Sequence, residues 1–208
     1  GHRLETRRGG EDEREQPHRA VDFCSASGHL DIWTSPIRHM TCLVTVGSTL
    51  FEDLTTHLDA HAESFVKDLK NRGISKLLFQ IGKSKLQPEK LPKVCDDNKV
   101  QFKCFAFTKE FKKMLLSCSL VISHAGAGSI SEALSLKKDL LVVVNETLMD
   151  NHQEELAQAM AKEGYLYWSK VPQVLDVLQK ADFTRLKEYP KPDAKAFADF
   201  LDKELGFS

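Results

Sequence analysis

Ser123-His124-Ala125-Gly126-Ala127-Gly128-Ser129-Ile130-Ser131-Glu132 is the stretch whose reading decides the fold. It follows the apolar run Leu120-Val121-Ile122 and leads into Ala133-Leu134. It therefore reads as a strand that breaks at two glycines and restarts as a helix from about Ser129 to Leu136. Gly126 and Gly128 allow a tight turn with no Cβ in the way of a ligand. Ser129 and Ser131 can cap the helix or offer hydroxyls. The unpaired N–H groups of a helix start, together with its dipole, make an anion site that a diphosphate would fit. Glu132, about one turn on, can accept hydrogen bonds from two vicinal hydroxyls such as those of a ribose. The alternative is a turn whose glycines serve packing alone. Two glycines, a histidine, three serines and an acid in ten residues exceed what that requires.

Outward from this stretch the chain alternates between strand and helix patterns. Upstream, Cys42–Val46 is a short apolar strand closed by Gly47, and 52–71 has helical apolar spacing at Leu54, Leu58, Phe65 and Leu69, with Gly73 as its stop. A strand follows at 76–81, ended by Gly82. Residues 83–99, with Pro88 and Pro92, read as a long loop, followed by a strand at 100–105 and a helix at 109–117. Downstream, 140–144 is a strand, 151–163 a helix stopped by Gly164, and 165–168 a last strand. Helices are expected after Pro172 and from Asp193 to Leu205. Apolar runs alternating with amphipathic helices predict an α/β domain: a Rossmann-like parallel sheet with helices on both faces.

In such sheets ligands bind beyond the carboxyl ends of the strands. Besides the glycine turn, this singles out Gly47-Ser48-Thr49, Gly82-Lys83-Ser84 and the cluster Asn145 to Gln153. In that last cluster Asp150 or Asn151 suits an N-cap, and Asn151, His152 and Gln153 offer donors and acceptors suited to sugar hydroxyls. Three rival motifs fail. A dinucleotide fingerprint would need a third glycine where Ser131 stands. A P-loop ending at Gly82-Lys83-Ser84 would need a glycine where Leu77 stands. No G-x-S-x-G pentad surrounds Ser129.

The remaining features are bland. His57 and His61 are one helical turn apart with no third ligand evident, so no metal site is expected. Phe102, Phe105, Phe107 and Phe111 suit a core or an interaction face. The five cysteines contain no C-x-x-C pair and read as reduced thiols of a cytoplasmic protein. A net charge of −1 over 208 residues offers no overall field for nucleic acid or an anionic membrane. No run approaches the roughly 18 apolar residues of a membrane span. Residues 1–39, crowded with Arg and Glu and lacking periodicity, read as a disordered extension preceding a single domain from 40 to 208.

SHAGAGSISEAL at 123–134 followed by VVVNETLMDNHQEELA at 142–157 resembles the cytosolic-subunit family of the dolichol-pathway UDP-N-acetylglucosamine transferase. That family is similar to the C-terminal, donor-binding half of the bacterial peptidoglycan N-acetylglucosaminyltransferase. The likeness covers roughly residues 40–208, beginning with the TVGST turn at 45–49, and leaves 1–39 unmatched. It implies a single half of a GT-B glycosyltransferase that moves GlcNAc from UDP-GlcNAc onto GlcNAc-diphosphodolichol in the lipid-linked stage of N-glycosylation. It further implies a membrane-anchored second subunit that supplies the acceptor-binding half and recruits this one to the cytosolic face of the endoplasmic reticulum. By matching position, Gly126, Ala127, Gly128 and Ser129 would face the diphosphate, with Gly47 and Ser48 across the cleft. Glu132 would hold the ribose, and Asn151, His152 and Gln153 would lie near the GlcNAc. His124 would donate to phosphate or sugar, with the catalytic base unassigned. With no Asp-x-Asp motif, no metal or other cofactor is expected. An NAD-dependent oxidoreductase and a non-catalytic nucleotide-sugar-binding module are the alternatives.

Overall fold

The computed structural model describes residues 40–146 and 151–190. The extension at 1–39, the expected Asp193–Leu205 helix and positions 147–150 lie outside the described residues. The element order is β1 (Met40–Thr45), α1 (Glu52–Ala60), α2 (Ala62–Asn71), β2 (Ile74–Gln80), α3 (Leu91–Asp97), β3 (Gln101–Phe105), α4 (Phe111–Ser117), β4 (Leu120–His124), α5 (Ala127–Ser135), β5 (Asp139–Val144), α6 (Asn151–Lys162), β6 (Tyr167–Lys170) and α7 (Val174–Lys180). The strands form one sheet, all pairs parallel, in the order β3-β2-β1-β4-β5-β6. This is the predicted Rossmann-like arrangement.

Strand periodicity sorts the apolar side chains onto two faces. Cys42, Val44, Leu77, Phe79, Ile122, Leu141 and Val143 point to one side. There they pack with Leu54 and Leu58 of α1, Phe65 and Leu69 of α2, Leu91 of α3 and Leu178 of α7. Leu43, Leu78, Val121, Leu140 and Val142 point to the other, against Leu115 of α4, Ile130 and Leu134 of α5, and Ala157 of α6. Each fully buried Leu or Phe contributes about 1.5–3 kcal/mol, so the two cores together fix which end of each strand meets solvent. Far from the sheet's carboxyl rim, the Arg72 guanidinium donates to the carbonyls of Leu178 and Ala181 and stands 5.1 Å from the centre of the Phe183 ring. It thereby ties α2 to the segment after α7.

Three expectations need correction. The helix predicted over 52–71 breaks at His61, whose φ of −110° and ψ of 30° separate α1 from α2. The amide of His61 still donates to the His57 carbonyl at 3.2 Å, so the break is a kink. Residues 83–99 are not all loop, since α3 forms within them. Pro92 lies in its first turn, where a missing N–H costs nothing, and Leu91, Val94 and Cys95 bury its inner face. The Asp59 carboxylate of α1 accepts the amides of Lys90 and Leu91, both at 2.8 Å, and so caps α3 from a distance. The last strand begins two residues later than read, at Tyr167.

Candidate site at the β1–β4 rim

Crossovers leave the sheet in opposite directions on either side of the β1–β4 pair, and a crevice opens at such a switch point beyond the strand ends. The segments that reach it are 46–51 after β1 and 125–126 after β4. The β1 turn begins at Gly47, whose φ of +62° favours glycine, and its amide donates to Thr45 Oγ1 at 3.1 Å. Thr45 Oγ1 donates in turn to Gln80 Oε1 at the end of β2. The Thr49 hydroxyl closes the turn on the Val46 carbonyl at 2.8 Å.

His124 is the hub of the crevice. Its imidazole is 7% exposed and lies between Gly47 and Gly126. A Cβ on Gly47 would stand 3.0 Å from its Nε2 and closer still to Cε1. A Cβ on Gly126 would stand 3.0 Å from Cε1 and closer still to Nε2. Both glycines are therefore required by the ring itself. Burial, above all, holds the His124 pKa below its ordinary value, while the Thr45 main chain acts the other way. Nδ1 of the ring is buried without a hydrogen-bond partner among the described residues. The neutral imidazole is the form this environment selects.

Helix α5 starts at Ala127, two residues before the expected start. Gly126 is its N-cap, with φ of −77° and ψ of 123°, and no side chain caps it. Ser129 is thus the third helical residue, and neither Ser129 nor Ser131 serves as the cap. The Ile130 amide makes the first intrahelical bond, to Gly126 at 3.0 Å. The amides of Ala127, Gly128 and Ser129 precede it and have no acceptor among the described residues, as a helix start dictates. Ala127 and Gly128 are exposed, Gly126 and Ser129 half-buried. A Cβ on Gly128 would meet nothing within 4 Å, so no protein contact demands glycine there. Glu132 is half-buried one turn on, and its carboxylate makes no bond to the described residues.

The other expected residues divide. Ser48 is exposed beside Gly47. Asn151 and His152 open α6 and Gln153 is half-buried in its first turn, while the side chains of 151 and 152 lie outside the described residues. Gly82, Ser84 and Asn145, singled out by sequence as strand-end positions, act as supports, a role that sequence reading did not give them. The Asn145 amide group, 5% exposed, donates to the Leu50 carbonyl at 3.3 Å, bracing the β1 segment from the end of β5. Ser84 donates to Glu52 at 2.8 Å, and the backbone at Gly82 packs against the carbonyls of Gly47 and Thr49. The only sequence signal for Asn145 is a polar residue directly after a buried apolar run.

The His57 and His61 rings lie 4.5 Å apart, tilted by 36°, and no group of three potential metal ligands exists among the described residues. Cys42, Cys95 and Cys118 are buried, Cys104 is half-buried, and all four are free. Burial pushes the Cys95 thiol up to about 11, which suppresses the reactive thiolate. Well-formed hollows lie elsewhere, for example around Arg72, Asp139 and Phe183 at the opposite end of the sheet. At the β1–β4 rim the described residues present the α5 main-chain donors on exposed and half-buried positions.

The sequence profile described as the glycosyltransferase family 28 C-terminal domain matches residues 41–204. UDP-N-acetylglucosamine transferase subunit ALG13 of Homo sapiens is 38% identical over 130 residues, covering 62% of this chain and 11% of that protein. The subunit of the same name from Cryptococcus neoformans var. neoformans is 32% identical over 196 residues, covering 80% of this chain and 97% of that one. This chain thus spans only about a tenth of the human and mouse relatives it matches. The NMR solution structure of ALG13 superposes with a TM-score of 0.57 at 23% identity, over 78% of this chain and 95% of that one. The crystal structure of Acinetobacter baumannii MurG gives 0.54 at 16% identity, over 84% of this chain and 54% of that one. At these identities the two structures speak for the fold. Among the described residues no helix is long and apolar enough to cross a membrane.

Proposed function

Because the chain belongs to the glycosyltransferase family 28 C-terminal domain family, we propose that residues 40–208 are the UDP-GlcNAc-binding half of a glycosyltransferase. It acts with a second, membrane-anchored subunit to move GlcNAc onto GlcNAc-diphosphodolichol. Recruitment by that subunit places it at the cytosolic face of the endoplasmic reticulum. The observation that carries the reading is the exposed, uncapped start of α5 at the sheet's switch point, with three main-chain N–H groups free for a diphosphate.

In this reading the amides of Ala127, Gly128 and Ser129 bind the donor's phosphate oxygens. During transfer the acceptor hydroxyl oxygen bonds to the anomeric carbon of GlcNAc as the bond from that carbon to the UDP phosphate oxygen breaks, and negative charge grows on the departing UDP. Preorganised N–H groups stabilise that charge without reorganising. Glu132 accepts the ribose hydroxyls. Gly47 and Ser48 form the facing wall, and Asn151, His152 and Gln153 orient the sugar. Neutral His124 holds the two walls in register and offers a ring N–H toward the ligand. The acceptor's proton leaves through a base on the second subunit.

The test is a titration of the full chain with UDP-GlcNAc, UDP-glucose and NAD, coupled to a transfer assay onto GlcNAc-diphosphodolichol with and without membranes that supply the second subunit. Preference for UDP-GlcNAc and transfer only with those membranes are expected. Transfer at full rate by the isolated chain refutes the split enzyme. Tight NAD binding would replace it with an oxidoreductase, and unchanged complemented activity in Glu132→Ala with a non-catalytic module.

A further inference from the structure

The near-neutral overall charge conceals an uneven surface. Strand β3 is an edge of the sheet, and Lys103 and Phe105 of β3 line a hollow together with Phe107 and with Met114 and Ser117 of α4. The inner side of α4 is Leu115, buried, with Phe111 and Met114 half-buried; its outer side is Lys112, Lys113 and Leu116, all exposed. Just before it stand exposed Phe107 and Lys109, and beside it on β3 stands exposed Lys103. Phe107 and Leu116 are each 55% exposed, a large apolar cost in water at both ends of a row of lysines. Between 101 and 117 the only acid is Glu110, 3.5 Å from Lys113; Lys103, Lys109 and Lys112 have no ion-pair partner among the described residues. At the far end of the helix the Lys138 ammonium donates to the Leu116 carbonyl at 2.9 Å, adding another positive charge.

We propose that this facet docks on an anionic membrane surface, its lysines facing the lipid headgroups and Phe107 and Leu116 entering the interface. Lysines around exposed apolar side chains are the pattern of an element that lies on a bilayer. Anionic headgroups complement the charge, and each lysine near the surface strengthens partitioning about fivefold. The cations are all lysine, with no arginine in the 101–117 segment. Protein interfaces enrich arginine and deplete lysine, so a lipid surface fits better than an acidic protein. Exposed Asp139 lines the hollow beside Leu116 and Lys138, so the facet sets Lys103, Lys109, Lys112, Lys113 and Lys138 against Glu110 and Asp139 and stays net positive; more distant acids are screened beyond roughly 8 Å. Edge protection accounts for Lys103, but not for an exposed Phe107 or for lysines on α4. The inference is independent of the donor-binding reading.

The test is flotation of the 208-residue chain with phosphatidylcholine vesicles and with phosphatidylserine-rich vesicles. Wild type is expected to float with the anionic vesicles alone and to be released by salt. The triple variant Lys109→Gln, Lys112→Gln, Lys113→Gln should lose about 100-fold in partitioning, following the fivefold step per lysine. Phe107→Ser should lose less. All substituted side chains are exposed, so thermal melts followed by circular dichroism should match wild type. The arginines within 1–39 are present in every sample and do not bear on the difference between variants. Failure of wild type to float with anionic vesicles, or flotation of the triple variant at wild-type level, overturns the proposal. Binding to soluble poly-glutamate without binding to vesicles overturns it in favour of an acidic polypeptide.

Discussion

Gly128→Ala separates a glycine kept for packing from one kept for a ligand. The added Cβ meets no protein atom within 4 Å, and Gly128 is the second residue of α5. Alanine stabilises a helix over glycine by about 0.8–1.0 kcal/mol in its interior, and by somewhat less in the first turn. The ligand-free protein should therefore gain about 0.5–1 kcal/mol. With about 2–4 °C per kcal/mol at this chain length, Tm should rise by roughly 1–4 °C. If a diphosphate sits on the first-turn amides, the same methyl group occupies its space. Loss of one charge-assisted hydrogen bond costs about 1.5–3 kcal/mol, or roughly 10–150-fold in affinity. Stability and binding should thus move in opposite directions, read by thermal melts and by calorimetric titration with UDP-GlcNAc. A higher Tm with unchanged affinity would refute the diphosphate placement, and a lower Tm would refute the open-space reading of the turn.

The other glycines should behave in the opposite way. Gly47→Ala forces a non-glycine residue to a φ of +62°, costing about 1–2 kcal/mol, and drives a Cβ into the buried His124 ring for a further ~1–3 kcal/mol. Gly126→Ala meets the same ring at an ordinary φ and should cost only the packing part, ~1–3 kcal/mol. Chemical denaturation should rank wild type above Gly126→Ala above Gly47→Ala, and equal stabilities would contradict the sandwiched imidazole. His124 should also leave a pH signature. Its folded pKa lies below the ordinary 6.5, so between the two values the unfolded chain binds the extra proton and acid costs stability. The loss begins as pH falls through about 6.5 and levels off beneath the folded value. Urea melts at several pH values should show a shallower acid loss in His124→Gln than in wild type; parallel curves would mean that the ring titrates normally.

What the sequence revealed and what it concealed follow from the range of the interactions. Five strands were legible because 42–46, 76–81, 100–105, 120–123 and 140–144 are apolar runs punctuated by glycine or polar residues, a signal contained within a few positions. The boundaries that failed depend on distant partners. Helix α3 is capped by Asp59, over 30 residues upstream, and Pro92 within it and Pro88 before it read locally as loop. The start of α5 moved to Ala127 because Gly126 acts as N-cap without side-chain help, against the local preference for a serine. The glycine turn was identified as a candidate site from composition alone, but the reason for Gly126 was not. Its Cβ is excluded by His124, which Gly47 also touches, and that relation needs β1 and β4 to be neighbours. Asn145 bracing Leu50 likewise joins residues 95 apart through the strand order.

The same strand order bears on why the rim would need a second protein. Every group that shapes the crevice is spent on rigidity: Thr45 on Gly47 and Gln80, Asn145 on Leu50, Ser84 on Glu52, and the His124 ring on two glycines. What is left for a ligand is the set of α5 amides, on residues that are exposed or half-buried, together with the unbonded Glu132 carboxylate and a ring nitrogen of His124. A helix start attracts an anion by about 0.3–1 kcal/mol in water and up to ~2 kcal/mol when partly buried. Electrostatic contacts strengthen further as water is excluded. If the α5 amides bind the donor as proposed, a rigid, preorganised wall open to solvent holds them at a fraction of their strength. Under the proposed function, a covering subunit strengthens them by removing water, with no rearrangement of this half. Its contribution would be the missing dielectric boundary as much as the missing residues.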